Sequence, residues 1–240
     1  MIKKLALLII LISLSNQISY AKDVNFPDLE KSVEQVNIVV NHYKLMSTYA
    51  DHTFKGNNGI DRYTYSNILY KTIDLLNKKM EEIDQDEILD ISDLSNVKQF
   101  ENISDLSKDN VSYKKIIALL KTGLIRTYSD NTFKGEKTVD HIGFAIGMGR
   151  LMSVIYDDAP PILKKKWKSE ILRQSISIKE VPIDSPAYKP LMLALENNLL
   201  DIKSINLLSK PITRYEVADS TYRLINKLDE LRKYLVFTRI

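Results

Sequence analysis

A stripe of mainly apolar residues recurs three times in this chain, at steps of four, seven and eleven. It reads Tyr65, Leu69, Thr72 and Leu76, then Phe144, Met148, Leu151 and Ile155, then Val217, Thr221, Leu224 and Leu228. That spacing keeps side chains on one face of a 3.6-residue helix, so each stripe predicts an amphipathic helix. A shorter helical run precedes each stripe: Val33, Val36, Val40 and Tyr43; then Ile116, Ile117, Leu120 and Leu124; then PLMLALENNLL over 190–200. The pattern predicts an all-α fold made of three helix-loop-helix units.

The loops of the first two units are near copies. YADHTFKGNNGIDR (49–62) and YSDNTFKGEKTVDH (128–141) agree at Tyr49/Tyr128, Asp51/Asp130, Thr53/Thr132, Phe54/Phe133, Lys55/Lys134, Gly56/Gly135 and Asp61/Asp140. Every match keeps an offset of 79 residues, which points to duplication. The third unit fits an offset of 152, with Ile212 opposite Ile60, but its loop DIKSINLLSKP has lost the shared elements. Asp51 and Asp130 suit Asx-type turns. Gly56 and Gly135 are expected to supply positive φ, and Phe54 and Phe133 to plug the loop onto the helices. Asp61, Asp140 and Thr213 stand where N-caps belong, and Thr213-Arg214-Tyr215-Glu216 forms a capping box. Gly147 and Gly149 are expected to permit close helix packing, Gly147 facing a neighbour. Between units, the acidic run over 78–95 lacks the central glycine and terminal glutamate of a calcium loop. It is expected to be a solvated helix or linker, and DDAPPILKKKWK (157–168) a second connector.

Composition narrows the setting. The chain opens with Lys3 and Lys4, an apolar run from Leu5 to Leu14, and small or polar residues ending at Ala21. This is the order of a secretory signal peptide cut after Ala21. About ten apolar residues fall short of the roughly twenty that span a bilayer, which favours cleavage over a retained anchor. The chain is therefore expected to be exported, to the cell wall, cell surface or periplasm, with no transmembrane segment after cleavage. It contains no cysteine, so disulfides, thiolate metal sites and a cysteine nucleophile are excluded. A formal charge of +3 over 240 residues gives no reason to expect a nucleic-acid partner.

A helix, a Tyr-x-Asp-x-Thr-Phe-Lys loop, and a helix opened by Ile-Thr-Arg-x-Glu resemble the S-layer homology repeat. Tyr49–Lys55 and Tyr128–Lys134 carry the loop half, Ile212–Glu216 the helix-opening half, and Phe26-Pro-Asp28 and Phe100 with Asp105 the repeat starts. The resemblance divides the chain into signal peptide 1–21, repeat 24–80, acidic connector 81–98, repeat 99–156, connector 157–177, divergent repeat 178–232 and tail 233–240. It implies a pseudo-threefold, three-pronged helical domain that attaches noncovalently to acidic, often pyruvylated, wall polysaccharide or peptidoglycan-linked polymer. The arginine of the helix-opening motif is implied as a ligand contact, which places Arg62 and Arg214 in that role. Guanidinium offers a planar fork to a carboxylate. The second unit has His141 there instead, so its groove is expected to bind anions weakly or only in acid. Asp51 and Asp130 are implied to line the grooves, and the family's early tryptophan is missing, since Trp167 falls in a connector.

Nothing in the chain favours catalysis. His42, His52 and His141 lie in different units without metal-ligand spacing, and no nucleophile elbow or phosphate-cradling glycine loop is present. No enzyme, cofactor or metal is expected. Two functions remain, a carbohydrate-binding envelope module or a scaffold with decayed grooves whose partner is another envelope protein.

Overall fold

The computed structural model describes residues 26–94, 100, 102–168, 178, 181–201 and 208–238. The expected signal peptide lies outside them, as does most of the third unit's loop. The described residues form an all-α protein. The elements are α1 (Val33–Asn37) continued by a π-helical turn (Ile38–His42), α2 (Arg62–Glu81), α3 (Tyr113–Lys121), α4 (His141–Asp158), α5 (Pro161–Trp167), α6 (Tyr188–Glu196) and α7 (Arg214–Thr238). The long helices α2, α4 and α7 carry the three stripes, and every stripe residue is buried. Among described residues, no helix is long and apolar enough to cross a membrane.

The units interlock rather than standing side by side. The short helix of each unit packs on the long helix of another: α3 on α2, α6 on α4, and α1 on α7. The segments that open the long helices also pair in a ring. Isolated antiparallel bridges join Gly59 to Thr213, Asp61 to Thr138, and Asp140 to Pro211. Each pairs the residue two before an N-cap with the N-cap of a neighbouring unit. The first helical N–H groups, which have no intrahelical acceptor, follow the same ring. Arg62 N donates to Lys137 O, His141 N to Lys210 O, and Arg214 N to Asn58 O, at 3.1, 3.1 and 2.9 Å. Side-chain caps finish the job: Asp61 accepts from Thr64 N at 2.6 Å and Asp140 from Gly143 N at 2.7 Å. Thr213 and Glu216 close the expected capping box, Thr213 N donating to Glu216 Oε2 at 2.8 Å.

Two expectations are corrected. Gly56 and Gly135 do not supply positive φ; Lys55 and Lys134, one residue earlier, adopt it, at 49° and 51°. The glycines are needed because a tyrosine ring from another unit lies on them. A Cβ on Gly56 would stand 2.1 Å from Tyr215, and one on Gly135 the same distance from Tyr63. The second concerns the connector 157–168, which keeps Lys165 and Lys166 exposed but is helical and partly buried rather than a polar link alone. Pro161 at the first turn starts α5, and Trp167 is buried against α7, its indole N–H donating to Glu230 at 2.6 Å.

Other packing devices match the sequence. Phe54 and Phe133 are fully buried. A Cβ on Gly147 would meet the Tyr65 hydroxyl at 2.2 Å, and one on Gly149 the Pro190 carbonyl at 1.8 Å. These two glycines let α4 approach α2 on one side and α6 on the other.

Candidate functional site

The two look-alike loops are each held from behind by an aspartate 26 to 29 residues upstream. Phe54 N and Lys55 N donate to the two oxygens of Asp28 at 2.8 and 2.6 Å, and Phe133 N and Lys134 N to those of Asp105 at 2.6 and 2.7 Å. Burial would raise the Asp28 carboxyl, but these backbone donors outweigh it and hold it below its ordinary value. Nothing in the local sequence signals this pairing. The starts at Phe26-Pro-Asp28 and at Phe100 with Ile103 and Asp105 are visible, but their partners lie 26 to 29 residues away.

Asp51 and Asp130 shape the turn itself. Each accepts from the backbone N–H two residues on, Thr53 or Thr132, and pairs with Lys55 or Lys134 at 2.9 and 2.8 Å. Hydrogen bonds from Thr53 and Lys55 pull the Asp51 carboxyl well down, and those from Lys134 and Thr132 hold Asp130 at about 2. Both carboxylates are exposed and line neither of the clefts described next.

The fold brings Arg62 and Arg214 into equivalent positions between units. Arg62 Nε donates to Phe133 O at 2.7 Å and Nη2 to Arg126 O at 2.8 Å. Its guanidinium lies over Tyr128 and Phe133, 5.0 and 4.6 Å from the ring centres. Arg214 repeats this on the first unit: Nε donates to Phe54 O at 2.7 Å, Nη2 to Ser47 O, and the group lies over Tyr49 and Phe54 at 5.0 and 4.5 Å. Each arginine thus keeps Nη1 uncommitted among described partners while its other nitrogens grip carbonyls. Burial lowers both guanidiniums below their ordinary value, yet arginine remains charged at physiological pH.

Both arginines line clefts. The Arg62 cleft, about 230 Å³, is bounded by Arg126, Tyr128, Lys137, Ile146 and Arg150. The Arg214 cleft, about 380 Å³, is bounded by Ser47, Thr64, Asn67, Lys71 and Lys115. Among described residues, no ion pair involves any of the arginines or lysines in these clefts. Elsewhere buried cations do find carboxylates. Lys79 pairs with Asp229 at 3.0 Å, and Arg232 with Glu82 and Asp229 at 2.6 and 3.1 Å. Arg214 is only 6% exposed, and a buried charge without a counter-ion is costly.

His141 occupies the third equivalent position and behaves differently. It is 2% exposed. Nδ1 lies 2.8 Å from Lys210 O and Nε2 lies 3.0 Å from Glu216 Oε1. Both neighbours are acceptors, so the geometry suits a doubly protonated ring. Burial works against that charge, but the Glu216 and Lys210 contacts outweigh it and raise the His141 pKa. Burial would likewise raise Glu216, but His141 and Thr213 hold it down at about 2. The capping-box glutamate therefore serves twice, at Thr213 through Oε2 and at His141 through Oε1.

Residues 102–142 match the family model described as the S-layer homology domain, a stretch that runs from before Asp105 through α3 and the loop to the opening of α4. No curated protein and no solved structure matches the chain.

Proposed function

We propose that this S-layer homology domain protein is a non-catalytic envelope-binding module. It attaches noncovalently to acidic wall polysaccharide or peptidoglycan-linked polymer through the Arg62 and Arg214 clefts. The S-layer homology domain supports cell-surface anchoring to wall polymers in general. One observation carries the choice of site: two equivalent, half-buried to buried arginines sit in clefts with carbonyl and aromatic partners but form no ion pair among the described residues. An anionic polymer would supply the missing counter-charge as a charge-assisted, forked hydrogen bond. The ring of bridges between units supports a pseudo-threefold arrangement, and with it the equivalence of the two clefts. In this reading Asp51 and Asp130 contribute by fixing the loop rather than by touching ligand.

The test is co-sedimentation of the purified protein with isolated cell wall. Wild type should pellet at low salt, and the Arg62→Lys/Arg214→Lys variant, which keeps the charge but loses the fork, should pellet at least tenfold less tightly. Wild type remaining in the supernatant would sink the polymer assignment. Equal binding by a variant that melts like wild type would sink the site assignment.

A second reading is favoured by the third interface. There Glu216 fills the place that ligand would take, as expected of a scaffold whose grooves are closing and whose partner is another envelope protein. Under it, wall binding is absent and a protein is retained on the immobilised chain instead.

A further inference from the structure

The two clefts are built at equivalent positions, yet their walls differ in chemistry. At the 79-residue offset, Ser47 in the Arg214 cleft corresponds to Arg126 in the Arg62 cleft, Thr64 to Gly143, Asn67 to Ile146 and Lys71 to Arg150. Hydroxyl, amide and ammonium groups on one side become guanidinium and apolar groups on the other.

Their states of satisfaction differ as well. In the Arg214 cleft, Lys115 Nζ donates to Asn67 Oδ1 at 2.9 Å, and Asn67 Nδ2 donates to Ser112 Oγ at 2.9 Å and Tyr63 O at 3.1 Å. Lys71 Nζ donates to Lys44 O at 3.0 Å. In the Arg62 cleft, Arg150 keeps one bond, from Nη1 to Leu124 O at 3.1 Å. Burial lowers Arg150 from its ordinary value, and the neighbouring Arg126 charge lowers it further. Lys137 Nζ stands 4.9 Å from the Tyr128 ring centre that Arg62 also covers. Arg62, Arg126, Lys137 and Arg150 thus line the smaller cleft beside Asp140, which is already occupied as the α4 cap, whereas the larger has Arg214 with Lys71 and Lys115, both lysines tied to neutral oxygen acceptors.

We infer that the clefts are not redundant. The Arg62 cleft takes a dianionic group, a phosphate ester or two carboxylates carried close together, and Arg126 sets that preference; the Arg214 cleft takes a hydroxyl-rich unit bearing at most one charge. This deepens the polymer-binding reading and rests on it. The Arg126 side chain is free to select ligand because the residue's structural duty falls on its carbonyl, which accepts from Arg62. Removing the side chain therefore leaves the interface stitched.

The experiment titrates the purified protein with inorganic phosphate, malonate and acetate, following chemical shifts of residues around Tyr128 and Tyr49, with wall co-sedimentation in parallel. In wild type, phosphate or malonate should saturate the Tyr128 cleft at about tenfold lower concentration than acetate, with no such gap at Tyr49. Whichever of the two dianions binds more tightly identifies the source. Arg126→Ser, which installs the residue found in the other cleft, should abolish the gap without altering the melting temperature, while Ser47→Thr should change nothing at Tyr128. A gap that survives Arg126→Ser, or acetate binding as tightly as both dianions, overturns the inference. Loss of wall binding in wild type would overturn the polymer reading instead, so the two failures are separable.

Discussion

The Arg62 and His141 junctions share a backbone plan and diverge in charge. At both, the first residue of a long helix reaches from its own unit onto a carbonyl of another, with an aspartate cap behind it. Arg62 meets carbonyls and tyrosine and forms no ion pair among the described residues, since Asp140, which lines its cleft, is engaged as the α4 cap. His141 meets a carbonyl and a glutamate, and its charge is balanced internally. The contrast teaches that a repeated scaffold can leave the cation of one junction without an ion pair while balancing another internally. The deciding residue need not be the one that differs in the motif. Glu216 belongs to a capping box, and only its second oxygen makes it a counter-ion.

The strongest way to break this comparison is to open the sealed side. Gly149→Ala would drive a methyl group into the Pro190 carbonyl, and backbone cannot yield as a side-chain tip can. We expect about 3 kcal/mol of destabilisation, at the upper end of overpacking costs, read from urea unfolding. Wall binding through the Arg clefts should survive in whatever fraction stays folded. Arg214→Ala attacks the open side, stranding the Phe54 and Ser47 carbonyls, and should cost about 2 kcal/mol. Its loss should not vary between pH 5 and 9, because arginine does not titrate there.

The His141–Glu216 pair should titrate. The His141 pKa is raised on folding, so its contribution is full below the ordinary value of 6.5 and disappears as pH climbs through the folded value. Glu216 is depressed to about 2, so its contribution is full above 4.5 and lost as pH falls through about 2. The pair is therefore worth most between these ordinary values. His141→Asn should cost about 1 kcal/mol near pH 5.5 and less at pH 9, measured as the difference in unfolding free energy from wild type. A pH-independent difference would remove the ion pair from the account. The smallest effect belongs to Asp130→Asn. It weakens an exposed turn and should move the melting temperature less than Asp105→Asn, which disturbs the carboxylate that two loop amides share. The reverse order would mean the prong turn, not its anchor, fixes the loop.

Much of the fold was legible because helix periodicity and capping are local. The three stripes, the caps at Asp61, Asp140 and Thr213, and the buried Phe54 and Phe133 all follow from residue type and spacing. Arg62 and Arg214 were legible as a pair through their place in the motif. Misread features depended on distant neighbours. Gly56 and Gly135 looked like conformational glycines, whereas the strain falls on Lys55 and Lys134 and the glycines make room for a tyrosine ring. Trp167 looked like part of a connector because its partner Glu230 lies 63 residues on.

By itself, the sequence determined that three long amphipathic helices exist, where they begin, and that two loops are near copies, since these depend on neighbours within a few residues. Only the tertiary structure decided which unit each loop closes upon and where charge goes unbalanced. Whether a cation has a counter-ion depends on groups up to 150 residues apart, and no local pattern encodes such a meeting. The same repeated segment thus leaves Arg62 without an ion pair among the described residues and gives His141 one with Glu216.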